Sequence, residues 1–504
     1  MTVGAVEGVP RALAGARLLS SEVAELVAIE NGVCIRPLAF RVLDVEGGQS
    51  RIVNVACGAR LDSKCPPCAK RNRLARMAQC REGWHLEEEP VTGSSGDGGQ
   101  VKESAGSCMI DSAGEVQGGD GARRVRSTRR RQDAPNLPKR DQSASTLGRT
   151  FTTSEGKVLR PSMFVTLTLP SYGRVRGGVP VDPESYDYGR AARDALHFAK
   201  LVDRFVQNLR RVAGFDVQYF AAVEFQKRLT PHLHMAVRGT LPRAELRRVV
   251  EATYHQVWWP AVDRVVYDGG HLPVWRDGAG YVDPGMGEAL PTWDEALDRL
   301  GEDSEAVPVH VARFGAQVDV QGVLAGSKDA DTCIRYLAKY VTKSVSEGAL
   351  TAQGSAGRAR RAHVARLMEA LRFEPCSPAC ANWLRYGVQP KDARAGLVPG
   401  RCRNKAHRAE HLGYGGRRVL VSRKWSGKTL GAHVRDRRAW VLEALGIEVE
   451  ASDPQRFVWE LLSPSDRDVP PLRLRLMSLV AERQRWRREM ERAKSGPGEL
   501  EVVR

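Results

Sequence analysis

No stretch of the sequence runs to about 18 consecutive apolar residues, the length a membrane-spanning helix needs. The mildly acidic start, with Glu7, Glu22 and Glu25, also lacks the charged-then-apolar pattern of a secretory leader. A soluble, cytoplasmic chain without a membrane partner is therefore expected. Cysteine is sparse: ten among 504 residues are too few for a disulfide scaffold, and in a reducing compartment clustered thiols more often hold zinc. No internal repeat is present, and neither is a complete nucleotide-binding loop. Ser426-Gly427-Lys428-Thr429 echoes one, but the glycine required five positions before Gly427 is Ser422, which excludes an ATPase reading.

What the chain does have is length, apolar matter and positive charge. At roughly 150 residues per domain it is long enough for about three domains, and 42% hydrophobic residues can fill real cores. The 77 Lys and Arg against 60 Asp and Glu leave a net charge of +17, with a pI near 9.6. That imbalance favours a polyanion through counterion release, and nucleic acid is the first candidate. Composition divides the chain into an N-terminal zinc-binding region (1–86), a flexible basic linker (87–156), a central domain (157–350), a second zinc-binding, DNA-contacting region (351–450) and a basic helical tail (451–504). The linker reading rests on a Gly, Ser, Asp and Glu stretch over 92–121, followed by Arg123, Arg124, Arg126, Arg129, Arg130 and Arg131. Such a run either adds non-specific DNA affinity or is simply solvated.

Periodicity sets the fold class. Met163 to Leu169, Val217 to Phe225, His232 to Arg238 and Ala316 to Val320 alternate as strands. Arg190 to Val212 carries Phe198, Leu201, Phe205 and Leu209 at helical spacing, and Pro242 to Trp259, Asp329 to Val345 and Arg358 to Leu371 also read as helices. The order β-α-β-β-α-β-α predicts an α+β domain built on an antiparallel or mixed sheet with flanking helices. Pro470 to Lys494 reads as an amphipathic basic helix.

Chemistry concentrates at two places. In Pro231-His232-Leu233-His234, residues two apart on a strand share a face, so both imidazoles project from one surface while Leu233 and Met235 pack beneath it. Glu224, eight positions earlier at the end of the preceding strand, is the candidate third ligand, with Gln226 also near; two imidazoles and a carboxylate can hold a divalent cation. On the predicted helix beyond, Tyr336, Tyr340 and Lys343 share one face at spacing i, i+4, i+7. Taken singly, incidental histidines and core-edge tyrosines would explain these patterns as well.

Together with the strand Phe164-Val165-Thr166-Leu167-Thr168, these segments, in this order, resemble the HUH endonucleases, in particular the rolling-circle replication initiators. The resemblance spans about residues 158–350. Trp383-Leu384-Arg385-Tyr386-Gly387 and the basic segment from Gly416 to Trp425 resemble the initiators of actinobacterial plasmids and extend it to about residue 440. The resemblance implies an HUH-type fold and a metal-dependent, site-specific nickase and strand transferase. Tyr340 would attack a phosphodiester to give a 5′-phosphotyrosyl link and a free 3′-hydroxyl primer, with Lys343 assisting and Mn²⁺ or Mg²⁺ held by His232, His234 and Glu224. Tyr336 matches the two-tyrosine arrangement of isometric phage initiators and is open between a second nucleophile and a packing role. Implied partners are single- and double-stranded origin DNA, a host helicase and the replication machinery. A conjugative relaxase or a single-strand transposase is the near alternative, and a non-catalytic zinc-containing DNA-binding repressor the distant one.

Two structural zinc sites are expected. The first is Cys57, Cys65, Cys68 and Cys80, with His85 spare and Cys34 and Cys108 lacking partners at ligand spacing; the second is Cys376, Cys380, Cys402 and His407, with His411 as the looser option. Arg417, Arg418, Arg423 and Lys424 are the DNA-contacting candidates beside the second site.

Overall fold

The computed structural model describes residues 19–90, 134–156, 158–339, 341–342, 354–444 and 454–494. Its main elements in chain order are α1 (Ser21–Glu30), β1 (Leu38–Asp44), β2 (Ser50–Val55), α2 (Pro66–Trp84), β3 (Pro161–Leu167), α3 (Tyr188–Ala213), β4 (Tyr219–Phe225), β5 (Pro231–Arg238), α4 (Arg243–Glu251), β6 (Tyr254–Val257), β7 (His310–Arg313), β8 (Val318–Leu324), α5 (Lys328–Lys339), α6 (Gly354–Arg372), β9 (Val419–Val421), α7 (Leu430–Ala444), β10 (Phe457–Leu461) and α8 (Leu472–Lys494). They gather into two compact units whose boundaries differ from the five sequence segments. Residues 83–333 and 345–427 form the larger unit, and residues 1–82, 334–344 and 428–504 the smaller.

The larger unit is built on a five-stranded sheet in the order β8-β3-β5-β4-β9, antiparallel at every neighbouring pair. Alternation along the strands sends Met163, Val165 and Leu167 of β3 and Leu233, Met235 and Val237 of β5 into one core. There they meet Phe198, Leu201, Phe205 and Leu209 of α3, the stripe its 3.6-residue repeat predicts. Full burial of each such side chain is worth about 1.5–3 kcal/mol. The Asp187 carboxylate accepts from the Arg190 N–H at 2.8 Å to cap α3, and Gly214, with φ 72°, ends it in the left-handed region. Leu367 and Leu371 bring α6 into the same core.

Two sequence expectations change here. The helix expected over Pro242–Trp259 stops at Glu251. Residues Tyr254–Val257 form β6 and pair antiparallel with β7, whose Arg313 stands opposite Tyr254; a partner strand more than 50 residues away leaves no local trace. Residues 134–156, expected within the linker, are tied down. The Glu89 carboxylate accepts from the Thr146 hydroxyl at 2.6 Å, the Thr146 N–H at 2.7 Å and the Ser145 hydroxyl at 2.9 Å. The arginine run 123–131 lies outside the described residues.

In the smaller unit the tail does more than form a basic helix: it returns to the N-terminal segment. β10 pairs antiparallel with β1, placing Leu461 opposite Phe40, in a three-stranded sheet β10-β1-β2. α8 lays Leu476 and Val480 against Ala24, Ala28 and Val33, the small alanine side chains letting the two helices approach closely. Arg475 is buried there, its guanidinium donating to Asn54 Oδ1 at 2.6 Å and to the Pro37 carbonyl at 2.7 Å. Leu476 is fully buried in this small cluster, so Leu476→Ala is expected to destabilise the unit by about 2–5 kcal/mol, read as a lower denaturant midpoint.

Candidate functional site

The register of β4 against β5 pairs Glu224 with His232 and Ala222 with His234, placing all three functional side chains on the sheet face opposite the core. One carboxylate oxygen of Glu224 lies 3.1 Å from His232 Nε2 and 3.0 Å from His234 Nε2, and the two Nε2 atoms are 2.6 Å apart. Facing imidazole nitrogens at that distance cannot both carry a hydrogen, and their lone pairs are placed to share a cation with the Glu224 carboxylate. The three ligand atoms form one of the groups able to hold a metal ion. Burial alone would raise the Glu224 carboxyl, but the hydrogen bonds and charges of the two histidines outweigh it and hold the group at about 2. Burial pushes His234 down in spite of that carboxylate, favouring the neutral, metal-binding imidazole.

Support comes from β3, where Thr166 stands opposite His234. Its hydroxyl lies 3.0 Å from His234 Nδ1, and the Phe164 ring stacks on the same imidazole at 5.9 Å and 13°. With Nδ1 engaged by the hydroxyl, Nε2 is the nitrogen left to bind a metal. Gln226, the rival ligand, instead accepts from Arg228 Nε at 2.6 Å and from the Thr230 hydroxyl at 3.1 Å, inside the turn. Tyr336 is half-exposed on α5. Tyr340 and Lys343 lie outside the described residues.

Both thiol clusters are present in the structure, one with a changed member. Cys34, Cys57, Cys65 and Cys68 converge, with Cys57 and Cys68 sulfurs 3.7 Å apart and Cys65 and Cys34 sulfurs 3.8 Å apart. Four sulfurs about 2.3 Å from one zinc stand about 3.8 Å apart at the corners of a tetrahedron, whereas a disulfide would need about 2.05 Å. Cys34, not Cys80, is the fourth member. Cys68 and Cys80 are twelve residues apart on the continuous helix α2, a rise of about 18 Å that no single ion can bridge. Cys34 instead reaches the site from the turn after α1, its sulfur accepting from the Cys57 N–H at 3.3 Å. Burial would raise the Cys68 thiol, but hydrogen bonds from Cys65 and Arg71 bring it to about 7. Cys108 lies outside the described residues.

The second cluster has the expected membership: Cys376, Cys380, Cys402 and His407. Cys376 and Cys402 sulfurs are 3.9 Å apart, and the Cys380 sulfur is 3.7 Å from His407 Nε2. His407 Nδ1 donates to the Leu371 carbonyl at 3.0 Å, fixing the tautomer that frees Nε2 for a metal. The four basic candidates divide in two. Arg417 and Arg423 are exposed, whereas Lys424 is paired with Asp216 at 2.9 Å and Arg418 is largely enclosed, burial lowering its pKa.

The chain matches the family model described as "Replication initiator protein, pSAM2" (RepSA) over residues 20–482. A replication initiator protein of Streptomyces ambofaciens is 26% identical over 222 residues, which cover 38% of this chain and 43% of that protein. The chain thus spans less than half the length of this curated relative. No solved structure matches it.

The thiol geometry makes a discriminating forecast. Elemental analysis of the natively purified protein is expected to give about two zinc ions per chain. Cys34→Ser should lower this to about one, while Cys80→Ser leaves it unchanged; the reverse pattern would restore Cys80 as the ligand.

Proposed function

The chain belongs to the RepSA family of replication initiator proteins, and on that premise we propose that it starts plasmid or integrated-element replication by nicking origin DNA through a phosphotyrosyl link. The observation carrying this reading is the convergence of Glu224, His232 and His234 on a sheet face, backed by Thr166. The donor set of two imidazoles and one carboxylate fits Mn²⁺ or Mg²⁺ with open positions, and such an ion, when bound, supplies Lewis-acid polarisation of a scissile phosphate.

The protein's own groups carry the remaining steps. Tyr340 gives up its phenolic proton and its oxygen attacks phosphorus. The bond from phosphorus to the 3′-oxygen breaks, that oxygen takes a proton, and the new phosphotyrosyl bond stores the energy for later rejoining without a nucleotide cofactor. Lys343 stabilises charge on the phosphate, and Tyr336 is the candidate for a second transfer, with packing as the other role open to it. Sequence-specific duplex contact is assigned to Arg417 and Arg423, which face outward. Strand separation falls to a host helicase, because the chain lacks a complete phosphate-binding loop.

The decisive test is incubation with a labelled single-stranded origin oligonucleotide and Mn²⁺. A covalent adduct is expected, absent in Tyr340→Phe; Tyr336→Phe should keep the first nick and impair strand transfer at termination. No adduct with any origin sequence would leave a zinc-containing DNA-binding repressor. Metal binding is tested separately: Thr166→Val should weaken Mn²⁺ binding by about 10- to 100-fold in a calorimetric titration, and Thr166→Ser should preserve it.

A further inference from the structure

The larger unit also contains an open cleft of about 470 Å³ whose lining includes Arg190, Arg193, Arg313 and His310, together with Asp187 and Gly189. None of these residues belongs to the Glu224, His232 and His234 set.

The cleft is organised in two rows. The front row is cationic: three arginines line the cavity, and Asp187 is the one acid among its lining residues. The second row is acidic and buried. Asp194, 2% exposed, accepts from His310 Nε2 at 2.7 Å and from the Tyr172 hydroxyl at 2.6 Å, and lies 4.0 Å from Arg190 Nε. Glu374 accepts from Arg193 Nε at 2.9 Å. Neither acid lines the cavity, so both act from behind, fixing the orientation of His310 and Arg193. Arg313 ends β7 exposed, beside the buried Ala312, and has no ion-pair partner among the described residues. The imidazoles behind the cleft stay neutral, His197 being pushed by burial to about 3 and His255 to about 4. The guanidinium groups among the lining residues do not titrate at physiological pH.

Guanidinium forks match the oxygens of a phosphate, and the cavity has room for a phosphate with its sugar. We propose that this cleft binds a backbone phosphate of DNA through Arg190 and Arg313, with Arg193 and His310 held in place by Glu374 and Asp194. The proposal rests on the reading of the chain as a DNA-acting initiator and adds to it an anchoring point outside the metal-ligand set.

The test is fluorescence anisotropy of the full-length protein with a labelled 20-nucleotide oligothymidylate across a salt series. Each phosphate contact on a single strand contributes about 0.7 to the slope of log affinity against log salt. Arg190→Gln with Arg313→Gln is expected to reduce that slope by about 0.7–1.4, with an unchanged thermal melt. Arg243→Gln with Arg247→Gln, two exposed arginines of α4, removes the same net charge and should leave the slope nearly intact. An unchanged slope in the first pair, an equal fall in the control pair, or displacement of the oligonucleotide by thymidine monophosphate at micromolar concentration would each overturn the assignment. Failure of the wild-type protein to bind DNA at all would remove the initiator reading as well, which separates the two failures.

Discussion

The pairing register between β4 and β5 is the constraint on which the site depends. Because side chains alternate along a strand, slipping β5 by one residue would turn His232 and His234 into the core and push Leu233 and Met235 out to the ligand face. The turn that fixes the register is closed by its own hydrogen bonds, Gln226 N–H to the Thr230 carbonyl and Leu229 N–H to the Gln226 carbonyl, both at 2.9 Å. Arg228 fastens it to the segment just after β3 by donating to the Leu169 and Pro170 carbonyls at 2.7 Å each. Leu229 adopts φ 64°, a left-handed conformation costing a leucine on the order of 1–3 kcal/mol, and its burial at 3% exposure offsets that cost. Strain in the turn and packing beneath the strands therefore act together to present three ligand atoms at one point.

The two thiol clusters solve a different problem, holding parts of the chain that have little regular structure or little core. Cys376, Cys380 and Cys402 lie among Trp259, Trp293 and Trp383, in a region built mainly of turns and short 3-10 segments. The smaller unit's helix pairing rests on a handful of buried side chains. There the cluster joins the turn after α1, the segment after β2 and the first turn of α2. A metal bound to either set would contribute folding free energy directly, since no such site exists in the unfolded chain.

Much of the larger unit was legible because its patterns are local. The alternation of β3, β4 and β5 and the stripe on α3 follow from periods of 2 and 3.6 residues, and His232, His234 and Glu224 could be placed on one face from strand geometry alone. Where the outcome depended on distant partners, spacing misled. Cys80 looked closer to Cys68 than Cys34 did, yet a helix separates residues at a fixed rise, whereas the β1–β2 hairpin brings Cys34 back to Cys57. A predicted helix over 66–84 would have excluded Cys80 in advance. β10 was missed because Phe457-Val458-Trp459-Glu460-Leu461 shows no clean alternation and its partner, β1, lies more than 400 residues earlier.

Charge behaves the same way. A run of basic residues in sequence is not a basic surface, because folding decides which cations are spent internally. Lys424 is neutralised by Asp216, Arg475 holds the carbonyl of Pro37, and Arg238, 3% exposed, donates to the Lys424 carbonyl at 2.8 Å. Conversely Arg190, Arg193 and Arg313, scattered through segments with no unusual charge density, come together at one cleft because α3 and β7 pack side by side. The net charge of +17 sets the sign of the long-range field, but folding decides which guanidinium groups remain available at the surface. At Asp194 and Glu374 the carboxylates orient His310 and Arg193 while remaining outside the cavity's lining, so these two side chains are held in place by acids that do not themselves face the cavity.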